Sequence, residues 1–443
     1  MSERGIGEAA TDQADGTGEA TTGRADGIGE VTAGRGEGAG VRLTAPPARI
    51  GALTKGLWHP GPAEAAEDFA AARHHLFGGA FTWPVMVARR SAIEHNIARL
   101  AAFCAEHGLE FAPHGKTTMA PSLFQAQFDA GAWGITAATA NQVLAYRTFG
   151  VPRILLANEL LDPVALRWIG EEADRGLEFL CYFDSVAGVE TIASVPGSFR
   201  VLAELGHAGG RTGCRTAAEL AEVARAVAAA PNIELAGVAA YEGGLASVPA
   251  VTAYLNDVRA ATLELSQAGL LPETVIVTAG GSAYFDVVAD RLGGDWLPGH
   301  RLRAILRSGA YVSHDDGVYR VKTPYTRIEG SLDAALEVWA QVTSTPEDGL
   351  ALVGMGKREA PYDEGLPVPR LIRRRDGGEE PADGLVVERM NDHHAYLTGD
   401  VRLTPGDLVC FGISHPCTAF DKWQVIPVID ENRTVVDLIR TYF

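Results

Sequence analysis

Between about residues 80 and 320, short apolar runs alternate with segments of helical spacing. Runs of strand length occur at 110–116, 133–138, 153–158, 178–183, 200–205, 235–241, 274–279 and 304–312. Ala-, Leu-, Arg- and Glu-rich stretches such as 216–230 and 250–268 lie between them. Such alternation puts a parallel sheet under a layer of helices. Eight units of similar length predict a closed (β/α)8 TIM barrel over 91–322. An open doubly wound sheet is the alternative, but no Gly-x-Gly-x-x-Gly follows the early strands. After about residue 325 helical periodicity fades. Apolar runs at 337–343, 350–355, 385–389, 407–413, 423–429 and 434–440 are separated by Gly, Pro and Asp, and predict an all-β C-terminal domain over 323–443. The run 81–89 precedes the barrel and is expected to pair into that domain. Residues 46–90 are then an ordered lead-in carrying the β-domain's first strand.

Residues 1–45 break the pattern. They are mostly Gly, Ala, Thr, Glu, Asp and Arg, without aromatics, and contain near-repeats such as Gly18-Glu19-Ala20-Thr21-Thr22-Gly23. Too little apolar surface is present to offset chain entropy, so a disordered tail is expected. The 443 residues carry a net charge of −18, with no basic cluster interleaved with aromatics, which argues against a nucleic-acid partner. The run Arg373-Arg374-Arg375 is followed by Asp376, Glu379 and Glu380 and reads as a solvated hairpin or loop. No apolar stretch is long enough to span a membrane, and no secretory signal is recognisable. Cys104, Cys181, Cys214, Cys410 and Cys417 form no paired framework, as suits a reducing cytoplasm.

Lysine is scarce, occurring at Lys55, Lys116, Lys322, Lys357 and Lys422 among 38 basic residues. Lys116 follows the first barrel strand, so it belongs at the C-terminal mouth where barrel enzymes build their sites. A desolvated lysine, unlike arginine, can lose its proton and attack a carbonyl. Gly280-Gly281-Ser282 follows the seventh strand, where backbone N–H groups can cradle an anion. A reactive lysine opposite a phosphate cup suits a phosphorylated aldehyde, pyridoxal 5'-phosphate (PLP). Arg211, in a glycine-rich loop after the fifth strand, is placed either to face the cofactor ring or a substrate carboxylate, or simply to sit on the surface. On an extended chain His415 and Cys417 share one face and can present a nitrogen and a sulfur to one metal ion, zinc rather than magnesium or calcium. Asp392, His393 and His394 are further metal candidates.

These marks resemble the fold-type III PLP enzymes, in particular their D-serine dehydratase / D-threonine aldolase branch. The likeness is densest in Pro113-His114-Gly115-Lys116-Thr117, Asp129-Ala130-Gly131-Ala132-Trp133-Gly134, Arg307-Ser308-Gly309-Ala310-Tyr311-Val312 and Ser414-His415-Pro416-Cys417-Thr418. It implies that Lys116 carries PLP, that Gly280, Gly281 and Ser282 contact its phosphate, and that Arg211 lies near the pyridine ring. It further implies that Tyr241 lines the pocket, that His415 and Cys417 hold a divalent metal (zinc, or manganese), and that the chain forms a homodimer. The family often continues the lysine motif with His and Lys where this chain has Thr118 and Met119, and often has Asp where it has Gly206.

The resemblance implies a lyase acting on a D-β-hydroxy amino acid. Dehydration to a 2-oxo acid and ammonia is favoured because a Cys417 ligand suits zinc acting on a leaving hydroxyl. D-Serine is one candidate substrate, and a larger one such as D-glucosaminate another. Retro-aldol cleavage to glycine and an aldehyde is the alternative. A racemase, or a non-catalytic PLP carrier, stands behind both.

Overall fold

The computed structural model describes residues 40–443, and the tail expected over 1–45 falls mostly outside them. Its last residues are already packed. The amide of Leu43 donates to Gln125 Oε1 at 2.9 Å and that of Thr44 to the Phe149 carbonyl at 2.9 Å, so ordered chain begins ahead of residue 46.

Eight parallel strands form the barrel: Glu110–Phe111, Ile135–Ala137, Arg153–Glu159, Glu178–Phe183, Phe199–Leu205, Ile233–Ala240, Thr274–Ala279 and Arg301–Leu306. The first pairs with the eighth, Leu306 opposite Phe111. On its other side the amides of Trp133 and Thr136 donate to the carbonyls of Phe111 and Pro113, which closes the ring. The helices after strands two to six open on Thr139, Asp162, Ser185, Thr216 and Ser247, whose side-chain oxygens accept first-turn amides. These five βα loops thus end on a built-in helix start.

The barrel's interior is a core of its own, including Ala112, Leu155, Leu180, Leu202, Ala236 and Ile276. At the end opposite the mouth Arg303 makes a two-pronged contact with Glu110, both at 2.7 Å, and Arg153 pairs with Glu178 at 2.9 Å.

The β-domain is organised around the strand Leu336–Glu347. It pairs antiparallel with Val85–Arg89, Leu408–Gly412 and Leu350–Val353. Val85–Arg89 also lies parallel to Val425–Ile429, so the chain preceding the barrel is a strand of this sheet. The triple-arginine segment is a hairpin between Val368–Arg373 and Glu379–Pro381, held by Arg373–Glu379 and by Arg374 against Asp407 and Glu380. Among the described residues no helix is long and apolar enough to cross a membrane.

Candidate active site

Lys116 sits in a 3-10 turn, Gly115–Thr117, directly after the first barrel strand. Its amine is half-buried. Burial lowers its pKa from the usual 10.5; negative charge at Cys417 opposes this, while Arg211 and Arg307 push it further down. A neutral amine is the form that can attack a carbonyl or accept a proton.

Other strand ends place polar groups around it. His114 is held by Nδ1 against the Thr136 carbonyl at 3.1 Å; burial, with Lys116 and Arg307 beside it, keeps the imidazole neutral. Arg307, 4% exposed, donates to Thr278 Oγ1 at 2.7 Å and to the Ala240 carbonyl at 2.8 Å, tying the ends of strands six, seven and eight together. Its guanidinium lies 5.6 Å from the Tyr182 ring centre. Glu159 and Glu204, from strands three and five, form an acid pair. Burial, then contact with Glu204, pushes Glu159 up to about 8, so the pair retains a proton at neutral pH. Among the described residues, Glu204 Oε2, both Glu159 oxygens and the Tyr182 hydroxyl are buried with no hydrogen-bond partner outside the acid pair itself. Unsatisfied polar atoms inside a barrel mouth are what a site built for a polar ligand presents. The mouth therefore fits a polar ligand, with these carboxyl oxygens turned to its donors and not to a phosphate.

Arg211 is exposed, yet its guanidinium stacks 4.1 Å from the centre of the Tyr241 ring, so the two predicted residues meet. The absence of an aspartate at Gly206 has a local cause. A Cβ there would lie 2.3 Å from Arg215 Nη1 and 2.4 Å from the Thr212 carbonyl, which fill the space. Thr118 is 3% exposed beneath the lysine turn. The Gly280-Gly281-Ser282 turn follows strand seven as expected, but two of its amides are already engaged. Those of Gly280 and Gly281 donate to the carboxylate of Glu242, at 3.0 and 2.6 Å.

His415 and Cys417 are also brought to the mouth, although not on an extended chain as the spacing argument assumed. Only His415 is extended; Pro416–Thr418 is a 3-10 turn, which packs against the Lys116 turn. His415 Nδ1 lies 2.8 Å from Asp363 Oδ2, and the Thr418 hydroxyl donates to Asp363 Oδ1 at 2.7 Å. Burial lowers the His415 pKa, but contacts with Cys417 and Asp363 prevail and raise it to about 9. His393 pairs with Glu359 and Asp392 with Arg358. Among the described residues no three His, Cys, Asp or Glu side chains converge as a metal set, so neither joins the His415–Cys417 pair. That pair suits a soft divalent ion with two protein donors, the rest coming from water or substrate.

The sequence pattern had not singled out Glu159, Tyr182, Glu204, Glu242, Arg307 or Asp363. All but Asp363 lie at or just past the ends of barrel strands, where the barrel rule alone would have directed attention.

The alanine racemase N-terminal domain family matches residues 89–297 and the serine dehydratase domain family matches 335–429. The chain belongs to the fold-type III PLP enzymes, with a racemase-type barrel followed by a dehydratase-type β-domain. It is similar to the 3-hydroxy-D-aspartate aldolase of Paracoccus denitrificans (strain Pd 1222), 24% identical over 73% of this chain and 84% of that protein. Among solved structures, the D-threonine aldolase of Filomicrobium marinum aligns with TM-score 0.69 and 23% identity, over 82% of this chain and 95% of that one. The D-threo-3-hydroxyaspartate dehydratase of Delftia sp. HT23 aligns with TM-score 0.66 and 23% identity, over 82% and 97%. A cysteine-to-alanine mutant of a dehydratase of the same name was solved in a metal-free form.

Proposed function

We propose that this chain is a PLP- and metal-dependent lyase that dehydrates a D-β-hydroxy amino acid to a 2-oxo acid and ammonia. The observation that carries this reading is the meeting of the Lys116 turn and the Cys417 turn at one barrel mouth. Bound PLP supplies an electron sink for a substrate joined to it through the amino group. Lys116 would hold the cofactor and, once displaced by the substrate's amine, take the Cα proton at Nζ, for which its lowered pKa suits it. Arg211, stacked on Tyr241, and Ser282 would line the cofactor. His415 and Cys417 would hold zinc or manganese, whose Lewis acidity acts on the β-hydroxyl. Asp363 would fix the ring of His415 through Nδ1 and leave Nε2 for the metal.

Retro-aldol cleavage is the second reading, favoured by the names of the Paracoccus and Filomicrobium relatives. Incubation with D-threo-3-hydroxyaspartate, D-threonine, D-serine and D-glucosaminate, each with zinc or manganese, separates the two. Ammonia with a 2-oxo acid supports dehydration. Glycine with an aldehyde in equal amounts refutes it in favour of the aldolase. Full activity in chelator with neither product, only epimerisation, would point to a racemase. We further propose a cytoplasmic homodimer.

A further inference from the structure

Glu242 follows the sixth barrel strand and is fully buried, with 0% exposure. Among the described residues it has no lysine, arginine or histidine partner. Each of its oxygens instead accepts one amide of the seventh-strand turn, Oε2 from Gly280 and Oε1 from Gly281. A buried carboxylate is tolerated only where strong hydrogen bonds replace water, and charge-assisted amide bonds are of that kind. Gly280 is suited to this turn: its φ is +110°, and a Cβ would lie 2.2 Å from Leu306 Cδ1. From the other side the Ser308 hydroxyl donates to the Gly281 carbonyl at 2.9 Å. The turn is therefore clamped on both sides, and the two glycine amides point at Glu242. Among the described residues, the amides of Ser282 and Ala283 have no partner, and they precede the helix Phe285–Leu292.

We propose that Glu242 is a positioning residue for the anion cup, and that the cofactor phosphate is received by Ser282 and Ala283 rather than by the amides of Gly280 and Gly281. This rests on the reading of the mouth as a PLP site. The clamp fixes the direction of the following amides by engaging the two before them. Replacing the carboxylate by an amide removes one acceptor and presents an N–H to a donor, so the turn loses its register.

The test uses apoprotein and two ligands, PLP and pyridoxal, which differ only in the phosphate. Glu242→Gln is expected to weaken PLP binding about 10- to 100-fold, the worth of a charge-assisted hydrogen bond, and to leave pyridoxal binding nearly unchanged. Ser282→Pro, which removes one of the two free amides, is expected to weaken PLP alone as well. Equal loss for both ligands in Glu242→Gln would mean a general folding role and overturn the proposal. Tighter PLP binding would mean that Glu242 merely occupies the phosphate seat, and would also overturn it. If Glu242→Gln does not fold, Glu242→Asp keeps the charge on a stem too short to span both amides and is expected to show the same selective loss, smaller in size. Wild-type protein that binds neither ligand would remove the PLP reading itself, and this proposal with it.

Discussion

Replacing Asp363 by Asn keeps the shape of the side chain and removes its charge. Asp363 accepts from His415 Nδ1 at 2.8 Å and from the Thr418 hydroxyl at 2.7 Å, so both oxygens anchor the turn that carries Cys417. An asparagine has one acceptor oxygen and must turn an amide N–H toward the other donor. At least one charge-assisted bond is lost, worth about 1.5–3 kcal/mol. Asp363 is 40% exposed at its side chain, so solvent screening brings the effect just below that range, to about 1.4 kcal/mol, or tenfold in a binding constant. Outer-shell partners of metal-bound histidines are typically worth about 10- to 100-fold in affinity, consistent with that figure. The assay is zinc competition against a chromophoric chelator, with PLP content measured in parallel. Asp363→Asn is expected to bind zinc about tenfold more weakly at unchanged PLP content, and His415→Ala to abolish specific binding. Zinc affinity within about threefold of wild type in Asp363→Asn, while His415→Ala loses the ion, would refute the reasoning.

Lys116→Ala should leave no PLP adduct reducible by borohydride, and Lys116→Arg should fail equally because guanidinium does not deprotonate; peptide mass spectrometry of the 116 region reads both. Glu159 titrates near 8 in the folded chain against an ordinary 4.5, so the fold holds this proton more tightly than the unfolded chain does. The carboxyl's contribution is fully present below pH 4.5 and is lost as pH rises through 8. Glu159→Gln should therefore gain on wild type from pH 5 to 9 in apoprotein melts, by about 2 kcal/mol after discounting for the shared proton and partial exposure; a flat difference would refute it. Gly280→Ala should cost about 1–3 kcal/mol in thermal unfolding, because its φ is unfavourable and the new methyl meets Leu306.

The eight barrel strands were legible because strands covered on both faces read as continuous apolar runs, and each predicted run overlaps an observed strand. The strands that escaped are the short pair Arg49–Ile50 and Glu64–Ala65 in the lead-in and, in the β-domain, Val368–Arg373, Glu379–Pro381 and Ala395–Thr398. Val368–Arg373 carries Pro369 next to a register shift, and Glu379–Pro381 is a fully exposed edge, so neither shows a clean alternation. Residue type and position exposed Lys116, while spacing brought forward His415 and Cys417. No such sign marks Glu242 or Asp363, whose importance comes from what they touch. A lone carboxylate has no spacing pattern of its own; only the fold shows that Glu242 reaches the seventh-strand turn, or that Asp363 reaches His415 from 52 positions away.

Lys116 and Cys417 are about 300 residues apart in the chain, and their meeting depends on how the β-domain is fastened to the barrel. The fastening begins with Val85–Arg89, a strand of the β-domain that runs directly into the first barrel helix, Arg90–Glu106. No flexible linker separates the two. Asn96 on that helix is fully buried and bonds in three directions. It donates to the carbonyls of Val312 and Asp333 and accepts from the Asp333 amide, joining the exit of the eighth strand to the start of the β-domain. The Arg89 amide adds a bond to the Ala335 carbonyl at 2.8 Å. The β-domain is thus anchored at the start and in the first half of the barrel's first helix, which leads into the strand preceding the Lys116 turn. A thiol far downstream can therefore act in the lysine's electrostatic field because the fold threads one domain's strand ahead of the other's first turn.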